Sequence, residues 1–232
     1  MDETKPAIRR EMRRRRRALS ALDLAAAETA VAAEFEGLEA FRASAAVIAY
    51  VDTDHEVPTG ALLTLAFAAG KRVYLPRLVD DRLCFGSYEP GAPLRAGAYG
   101  IPAPIGDEID RADLAAAVAV IPLLAWDVSG ARLGRGGGHY DRAVAGVFRP
   151  NCLVGLGYAF QQCDALPRDP WDLQLDWVVT ERGAVRCGRG DGPPPLRKEG
   201  AQYHELSADG AGHRRAGHRA GLAGGLRPAA TG

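Results

Sequence analysis

Apolar and polar positions alternate along the chain as short apolar runs separated by helix-length segments. Ile8, Met12 and Leu19 recur at near-helical spacing among arginines, which predicts an amphipathic helix from Lys5 to Leu19 whose long side chains partly cover their neighbours. Ser20 and Asp23 supply a cap or link to a second helix, Leu24 to Leu38, rich in alanine and glutamate. Ala46 to Val51 reads as a strand, Gly60 to Ala69 as a helix, and Val73 to Leu75 as a strand ending at Pro76-Arg77. Leu83 to Tyr88 reads as another strand, before a turn-rich stretch from Pro90 to Gly106. Asp110 to Ala117 is a short helix, and Val118 to Leu124, Leu153 to Tyr158 and Trp177 to Thr180 complete the strands. Strands rich in Val, Ile and Leu between helix-length segments indicate burial on both faces. The expected fold is α/β, three-layered, with a mostly parallel sheet and helices on both faces.

The pattern changes after Thr180. Residues 183–232 are rich in glycine and proline, sparse in aliphatics and interrupted by Pro193-Pro194-Pro195, which predicts a disordered C-terminal tail after an ordered domain of residues 1–182. Truncation after Glu181 is therefore expected to leave activity intact. The tail holds three of the five histidines, His204, His213 and His218, at a spacing that matches no metal site.

Charge changes the picture only locally, since 29 basic residues balance 29 acidic ones. Eight basic residues stand between Lys5 and Arg17 against the single acid Glu11. Arg13 to Arg17 reads as a solvated basic face, because a run of like charges cannot all point at one ligand. The four cysteines, Cys84, Cys152, Cys163 and Cys187, form no CxxC pair and read as reduced thiols without a metal framework. The N-terminus carries no apolar signal core and no apolar run is long enough to cross a bilayer, so a cytoplasmic location without a membrane partner is expected.

The chemistry concentrates in Arg132-Leu133-Gly134-Arg135-Gly136-Gly137-Gly138-His139-Tyr140-Asp141. An apolar run enters this stretch and a helix leaves it at Tyr140. Consecutive glycines allow positive φ and close approach, so several amides can point into one concavity near a helix N-terminus. Arg132 and Arg135 would add fork-shaped, charge-assisted contacts to the same anion. The loop lacks the Lys-Ser/Thr ending of a P-loop and the glycine spacing of the dinucleotide fingerprint. In a parallel sheet, ligands sit beyond the carboxyl ends of strands, where Glu56, Arg77, Asp127 to Asp141 and Gln161 would all fall.

Several spaced segments together resemble the 5-formyltetrahydrofolate cyclo-ligase family, also called methenyltetrahydrofolate synthetase. They are Lys5-Pro6-Ala7-Ile8-Arg9, Glu56-Val57-x-Thr59, Pro76-Arg77, and Pro122 with Trp126-Asp127, Gly130 and the glycine loop. Gln161 with Pro167, and Asp172 to Asp176 before Val178-Val179-Thr180-Glu181, continue the match in order. His139 stands where family members often carry a second tyrosine.

The resemblance implies an ATP- and Mg²⁺-dependent conversion of 5-formyltetrahydrofolate to 5,10-methenyltetrahydrofolate, with ADP and phosphate as products. It implies that Lys5, Pro6, Ala7, Ile8 and Arg9, together with Arg132 through Tyr140, bind ATP. It gives Lys5 and Arg135 as catalytic groups, with Arg135 stabilising charge on the transferring phosphoryl. Val51, Glu56 and Tyr140 take the folate, Glu56 through pterin nitrogens; Tyr140 reads equally as a core tyrosine. Asp141 and Asp172 are the Mg²⁺-side carboxylates, with helix-start charge and turn closure as their alternative readings. The partners are small molecules and a monomer is expected.

Two other classes compete. A nucleic-acid-binding protein would use the Arg13 to Arg17 run, yet no aromatic residues interleave it for base stacking and the glycine loop stays unexplained. A phosphosugar isomerase or acyl-transfer enzyme on a related scaffold would turn over without ATP.

Overall fold

A computed structural model describes residues 4–145 and 150–188, so the expected tail lies almost wholly outside the described residues. The elements run α1 (Lys5–Arg17), α2 (Ala21–Glu36), α3 (Glu39–Ala43), β1 (Ala46–Ile48), α4 (Gly60–Ala68), β2 (Arg72–Val79) and β3 (Arg82–Ser87). They continue with β4 (Leu94–Arg95), β5 (Ala103–Pro104), α5 (Arg111–Ala115), β6 (Ala117–Pro122), β7 (Ala125–Trp126) and β8 (Arg132–Leu133). The last are α6 (His139–Ala145), β9 (Cys152–Leu156), β10 (Trp177–Thr180) and β11 (Gly183–Arg186).

Among the described residues the main sheet has seven strands in the order β11-β10-β9-β6-β1-β2-β3. The five central strands pair in parallel, and β3 and β11 close the edges antiparallel. The α/β architecture expected from the apolar runs is the one found.

Successive strand residues point to opposite faces, and both faces are covered. Val47, Val73, Val118 and Val154 pack under Ala27, Val31 and Phe35 of α2 and Leu62 and Ala66 of α4. Ile48, Tyr74, Ile121 and Val178 face Leu123, Trp126, Leu173 and Leu175, with Tyr140 of α6 at the margin. The second cover is thus mostly irregular chain. Helix α2 starts at a capping box: the Ser20 hydroxyl accepts from the Asp23 N–H, and the Asp23 carboxylate accepts from the Ser20 N–H at 2.8 Å.

Helix α1 sits on a third cluster. Ile8 and Met12, one turn apart, are buried against Leu124, Ala125, Ala131 and Leu133. Each such side chain contributes roughly 1.5–3 kcal/mol by burial, enough to fix α1 beside the chain that leads into the glycine loop.

Two expectations are corrected. Strand β2 runs through Pro76 to Val79, because its pairing with β1 ends at Ile48 opposite Tyr74 and beyond that point only β3 lies alongside. A missing N–H costs nothing on a side with no ladder partner. Secondly, the ordered domain does not end at residue 182. Strand β11 pairs with β10 from Trp177 opposite Arg186 to Thr180 opposite Gly183, and Val185 is buried against the sheet. Truncation after Glu181 would strip this edge strand. Truncation after Gly188 is the cut expected to leave the thermal midpoint unchanged, whereas truncation after Glu181 lowers it; thermal denaturation followed by circular dichroism separates the two.

Candidate active site

Strands β1, β2 and β6 deliver their C-terminal ends to a cavity of about 860 Å³. Lys5 and Arg9 line it from α1, Tyr50, Val51 and Glu56 from the segment after β1, and Pro76, Arg77 and Leu78 from β2. The whole run Arg132 to Arg142 and the turn residues Asp169, Trp171 and Asp172 complete the wall.

Of the five N-terminal residues in the resemblance, Lys5 and Arg9 reach the cavity and Pro6, Ala7 and Ile8 do not. Four residues make slightly more than one helical turn, so positions 5 and 9 share a face, while Ile8 points into the core. The Lys5 ammonium lies 2.7 Å from Asp169 Oδ2 and 2.9 Å from Asp172 Oδ2. The hydrogen bond to Asp169 is the main influence holding the Lys5 pKa above its ordinary value, with Asp172 adding to it against the effect of burial. Burial alone would push Asp172 up, but the Asp169 N–H and Lys5 outweigh it and hold the carboxyl below the usual range.

The glycine loop is held by its carbonyls. Arg9 Nε donates to Gly134 O at 2.9 Å, Arg13 Nη2 to Arg135 O at 3.3 Å, and Arg142 Nη1 to Gly137 O at 2.8 Å. No hydrogen bond among the described residues engages the N–H of residues 134 through 138. Gly136 and Gly138 adopt φ of 111° and 64°, a region that side-chain-bearing residues enter at a cost. The result is a run of backbone donors beside the N-terminus of α6.

Arg132 departs from expectation. Its guanidinium is buried beneath the loop, with Nη2 2.9 Å from Asp141 Oδ1, Nη1 3.4 Å from Pro122 O, and Nε without a partner. It stacks 5.8 Å from the Tyr140 ring centroid. Burial pulls its pKa down, opposed chiefly by Asp141. Arg132 therefore braces the loop instead of presenting a free fork to an anion. Tyr140 fits both of its readings, since it lines the cavity while packing 6.5 Å from Phe85 between ring centroids.

Glu56 and Arg135, assigned to opposite substrates, touch each other. Arg135 Nη2 lies 3.1 Å from Glu56 Oε1, and the same guanidinium donates to the Thr53 carbonyl at 3.2 Å and to the Thr53 hydroxyl. Glu56 is 7% exposed, so it is not the surface carboxylate that its residue type suggests. Burial raises its pKa, and Arg135 followed by Arg16 pulls it back.

That second cation overturns the solvated reading of Arg13 to Arg17. Arg14 and Arg17 are exposed, but Arg16 is 1% exposed and lies under the Glu56 segment. A run of arginines on a helix with one apolar face turns one member inward every three to four residues, and Arg16 follows Ile8 and Met12 on that face. Tyr99, Trp171 and Asp169 also line the cavity without having been singled out in the sequence. They sit in turns, where no periodicity marks a residue.

Among the described residues no group of three or more His, Cys, Asp and Glu side chains is arranged to hold a metal ion alone. Asp141 and Asp172 nevertheless suit a hard cation that keeps waters. Asp141 is held through Oδ1 alone, by Arg132 and the Leu173 N–H at 3.1 Å. Asp172 is held through Oδ2 alone, by Lys5 and the Asp169 N–H at 2.9 Å. Each keeps its other oxygen out of any hydrogen bond among the described residues, which fits a Mg²⁺ ion bound by one or two carboxylates and by the oxygens of its ligand.

Fold and cavity define an α/β protein with a glycine-lined site at the strand C-termini, where such sheets hold small molecules. The model of the 5-formyltetrahydrofolate cyclo-ligase family matches residues 1–181, and the chain belongs to that family of enzymes. It is 34% identical over 175 residues to the 5-formyltetrahydrofolate cyclo-ligase of Haemophilus influenzae, covering 72% of this chain and 92% of the relative. The Escherichia coli enzyme of the same name is 36% identical over 139 residues, covering 58% of this chain and 76% of its own. The structure of Aquifex aeolicus 5,10-methenyltetrahydrofolate synthetase superposes with a TM-score of 0.69 at 28% identity, covering 87% of this chain and 99% of that one. The synthetase of Mycoplasma pneumoniae shares the fold, with a TM-score of 0.62 at 23% identity over 78% of this chain and 99% of that one.

Proposed function

We propose that the protein converts 5-formyltetrahydrofolate to 5,10-methenyltetrahydrofolate with ATP and Mg²⁺, releasing ADP and phosphate. The names of the relatives indicate methenyltetrahydrofolate synthetase activity. The observation that carries the ATP-dependent form is the loop of residues 134–138, whose carbonyls are tied back by arginines while its N–H groups stay unengaged. Backbone donors of this kind beside a helix start favour a phosphate chain.

In the proposed reaction the formyl oxygen attacks the γ-phosphoryl group, N10 closes on the activated carbon, and phosphate leaves. The protein needs alignment and charge neutralisation more than a nucleophile of its own. Lys5 and Arg9 face the phosphates from α1, and the loop N–H groups hold them from below. Asp141 and Asp172 would hold Mg²⁺, which neutralises phosphate charge. Glu56 accepts from the pterin, with Val51 and Tyr140 as apolar wall. Arg135, already bonded to Glu56, spans from the folate side toward the phosphate loop.

The test is an absorbance assay with purified protein, 5-formyltetrahydrofolate, Mg²⁺ and ATP. The near-ultraviolet band of the methenyl product is expected to grow only when ATP is present. Growth without ATP overturns the ATP-dependent reading, and no growth from folded protein overturns the substrate. The chain truncated after Gly188 is expected to give the same rate as the full chain.

The described residues include no helix long and apolar enough to cross a membrane. A cytoplasmic, monomeric enzyme acting on small molecules, without nucleic acid, is consistent with this proposal. The balanced charge of the whole chain argues for no particular partner.

A further inference from the structure

Glu56 stands at the end of a turn that ordinary residues adopt reluctantly. Asp54 and His55 have φ of 52° and 55°, and the Glu56 N–H donates to the Thr53 carbonyl at 3.1 Å, closing the turn. Turns with positive φ at both central positions favour glycine, asparagine and aspartate, so Asp54 suits its place while His55 holds one that glycine usually takes. Contacts from outside the turn help to keep it in this path.

Arg16 is the group in place to do so. Its Nη2 donates to the Asp54 carbonyl at 2.6 Å and to Asp54 Oδ2 at 3.1 Å, and its Nη1 lies 3.8 Å from Glu56 Oε1. The Arg16 carbonyl, in turn, is 3.1 Å from His55 Nδ1. Its Nε is buried without a partner, so this arginine is not optimised for stability alone. Tyr158, after β9, donates to the His55 carbonyl at 3.2 Å, and Arg17, the neighbour of Arg16 on α1, donates to Asp54 Oδ1 at 3.0 Å. Arg135 reaches Glu56 and the first residue of the turn, Thr53, from the cavity side, whereas Arg16 holds Asp54, at the turn's centre, from beneath and stands behind the same carboxylate.

We infer that Arg16 is a positioning residue for the folate: by clamping the Asp54-His55 turn from below, it holds Glu56 at the orientation in which its carboxylate meets the pterin. This rests on the proposed folate reading of Glu56. One rigid guanidinium fork donates twice to Asp54 through Nη2 while its Nη1 stands 3.8 Å from Glu56, a fixed spread of donors that a compact ammonium does not reproduce. Helix α1 thereby acts on both ends of the cavity, with Lys5 and Arg9 at the phosphate loop and Arg16 behind the folate carboxylate.

The experiment compares full-length wild type, Arg16→Lys, and Arg16→Lys combined with His55→Gly. Steady-state kinetics are measured in each substrate, and amide hydrogen exchange is followed in the ligand-free proteins. Arg16→Lys is expected to raise the KM for 5-formyltetrahydrofolate about tenfold while leaving the KM for ATP and kcat nearly unchanged, the pattern of lost ground-state binding. Exchange at residues 53–57 should quicken. Adding His55→Gly relieves strain at that position and should recover part of the folate KM, which a merely structural role for Arg16 would not predict.

An unchanged folate KM, an equal rise in both KM values, or unchanged exchange in the turn overturns the inference. If Arg16→Lys fails to fold, Asp54→Ala reads the same clamp from its partly exposed side, and an unchanged folate KM there overturns it equally. Wild-type protein that makes no methenyl product removes the functional reading and this inference together. Active wild type with an unaffected Arg16→Lys removes the inference alone.

Discussion

Arg135→Ala is expected to lower kcat by roughly 10²–10³, the usual loss when one donor to a charged transition state is removed. The side chain extends from a loop whose N–H groups are free, and its guanidinium is already anchored on Glu56 at 3.1 Å and on Thr53. In the proposed reaction a cation that is bonded to Glu56 and rooted in the glycine loop would stand between the two groups that react. The same variant should move the acid limb of kcat/KM for 5-formyltetrahydrofolate to higher pH. Burial holds the Glu56 pKa above the usual carboxylate value and Arg135 is the first influence pulling it back. Without Arg135 the carboxyl rises further, so Glu56 is protonated at a pH where the wild type is still ionised. Arg135→Lys restores the charge without the fork, and is expected to recover the pH limb and only part of kcat. A rise in folate KM at unchanged kcat would confine Arg135 to Glu56. Full activity would dismiss the loop as the phosphate site.

How far these residues were legible in the sequence depends on what kind of signal marks them. The strands and helices follow from runs of Val, Ile and Leu, since burial on both faces leaves an uninterrupted apolar signature in β1, β6, β9 and β10. The glycine loop is legible because positive φ and close approach restrict residue type, and Lys5 and Arg9 because a helix repeats every 3.6 residues. Strand β11 was not legible: one buried valine in four residues beside a glycine-rich tail is too weak a pattern. Arg16 was hidden for the opposite reason, standing among five consecutive arginines, where the Ile8 and Met12 spacing that reaches it is masked by charge. The contact of Glu56 with Arg135 spans 79 positions, and nothing local encodes it. Identities of side chains at the site were thus readable, while their pairing across the cavity was a property of the packed sheet.

The second large effect concerns Asp141, whose two readings lead to separable outcomes. Arg132 is almost wholly buried, and among the described residues Asp141 Oδ1 is the one carboxylate oxygen bonded to it. Asp141→Ala leaves that buried cation uncompensated, a change that typically costs roughly 3–5 kcal/mol. For a domain of this size that corresponds to a fall of roughly 6–20 °C in thermal midpoint. Activity is expected to fall as well, but instability alone could account for that. The informative variant removes both charges. Arg132→Met combined with Asp141→Leu replaces the ion pair with apolar groups, an exchange that is commonly neutral for stability once neither charge is left alone. If Asp141 serves only to neutralise Arg132, the double variant regains both the thermal midpoint and turnover. If Asp141 also lends its second oxygen to Mg²⁺, the midpoint returns while turnover stays low, and Asp141→Asn alone shifts the Mg²⁺ concentration for half-maximal rate upward. The proposed reaction requires that second pattern, because a γ-phosphoryl group moving between two oxygens develops charge that the loop N–H groups, Lys5 and Arg9 share with a cation held by carboxylates. Measured together, unfolding and Mg²⁺ titration separate the carboxylate's part in the fold from its part in the chemistry.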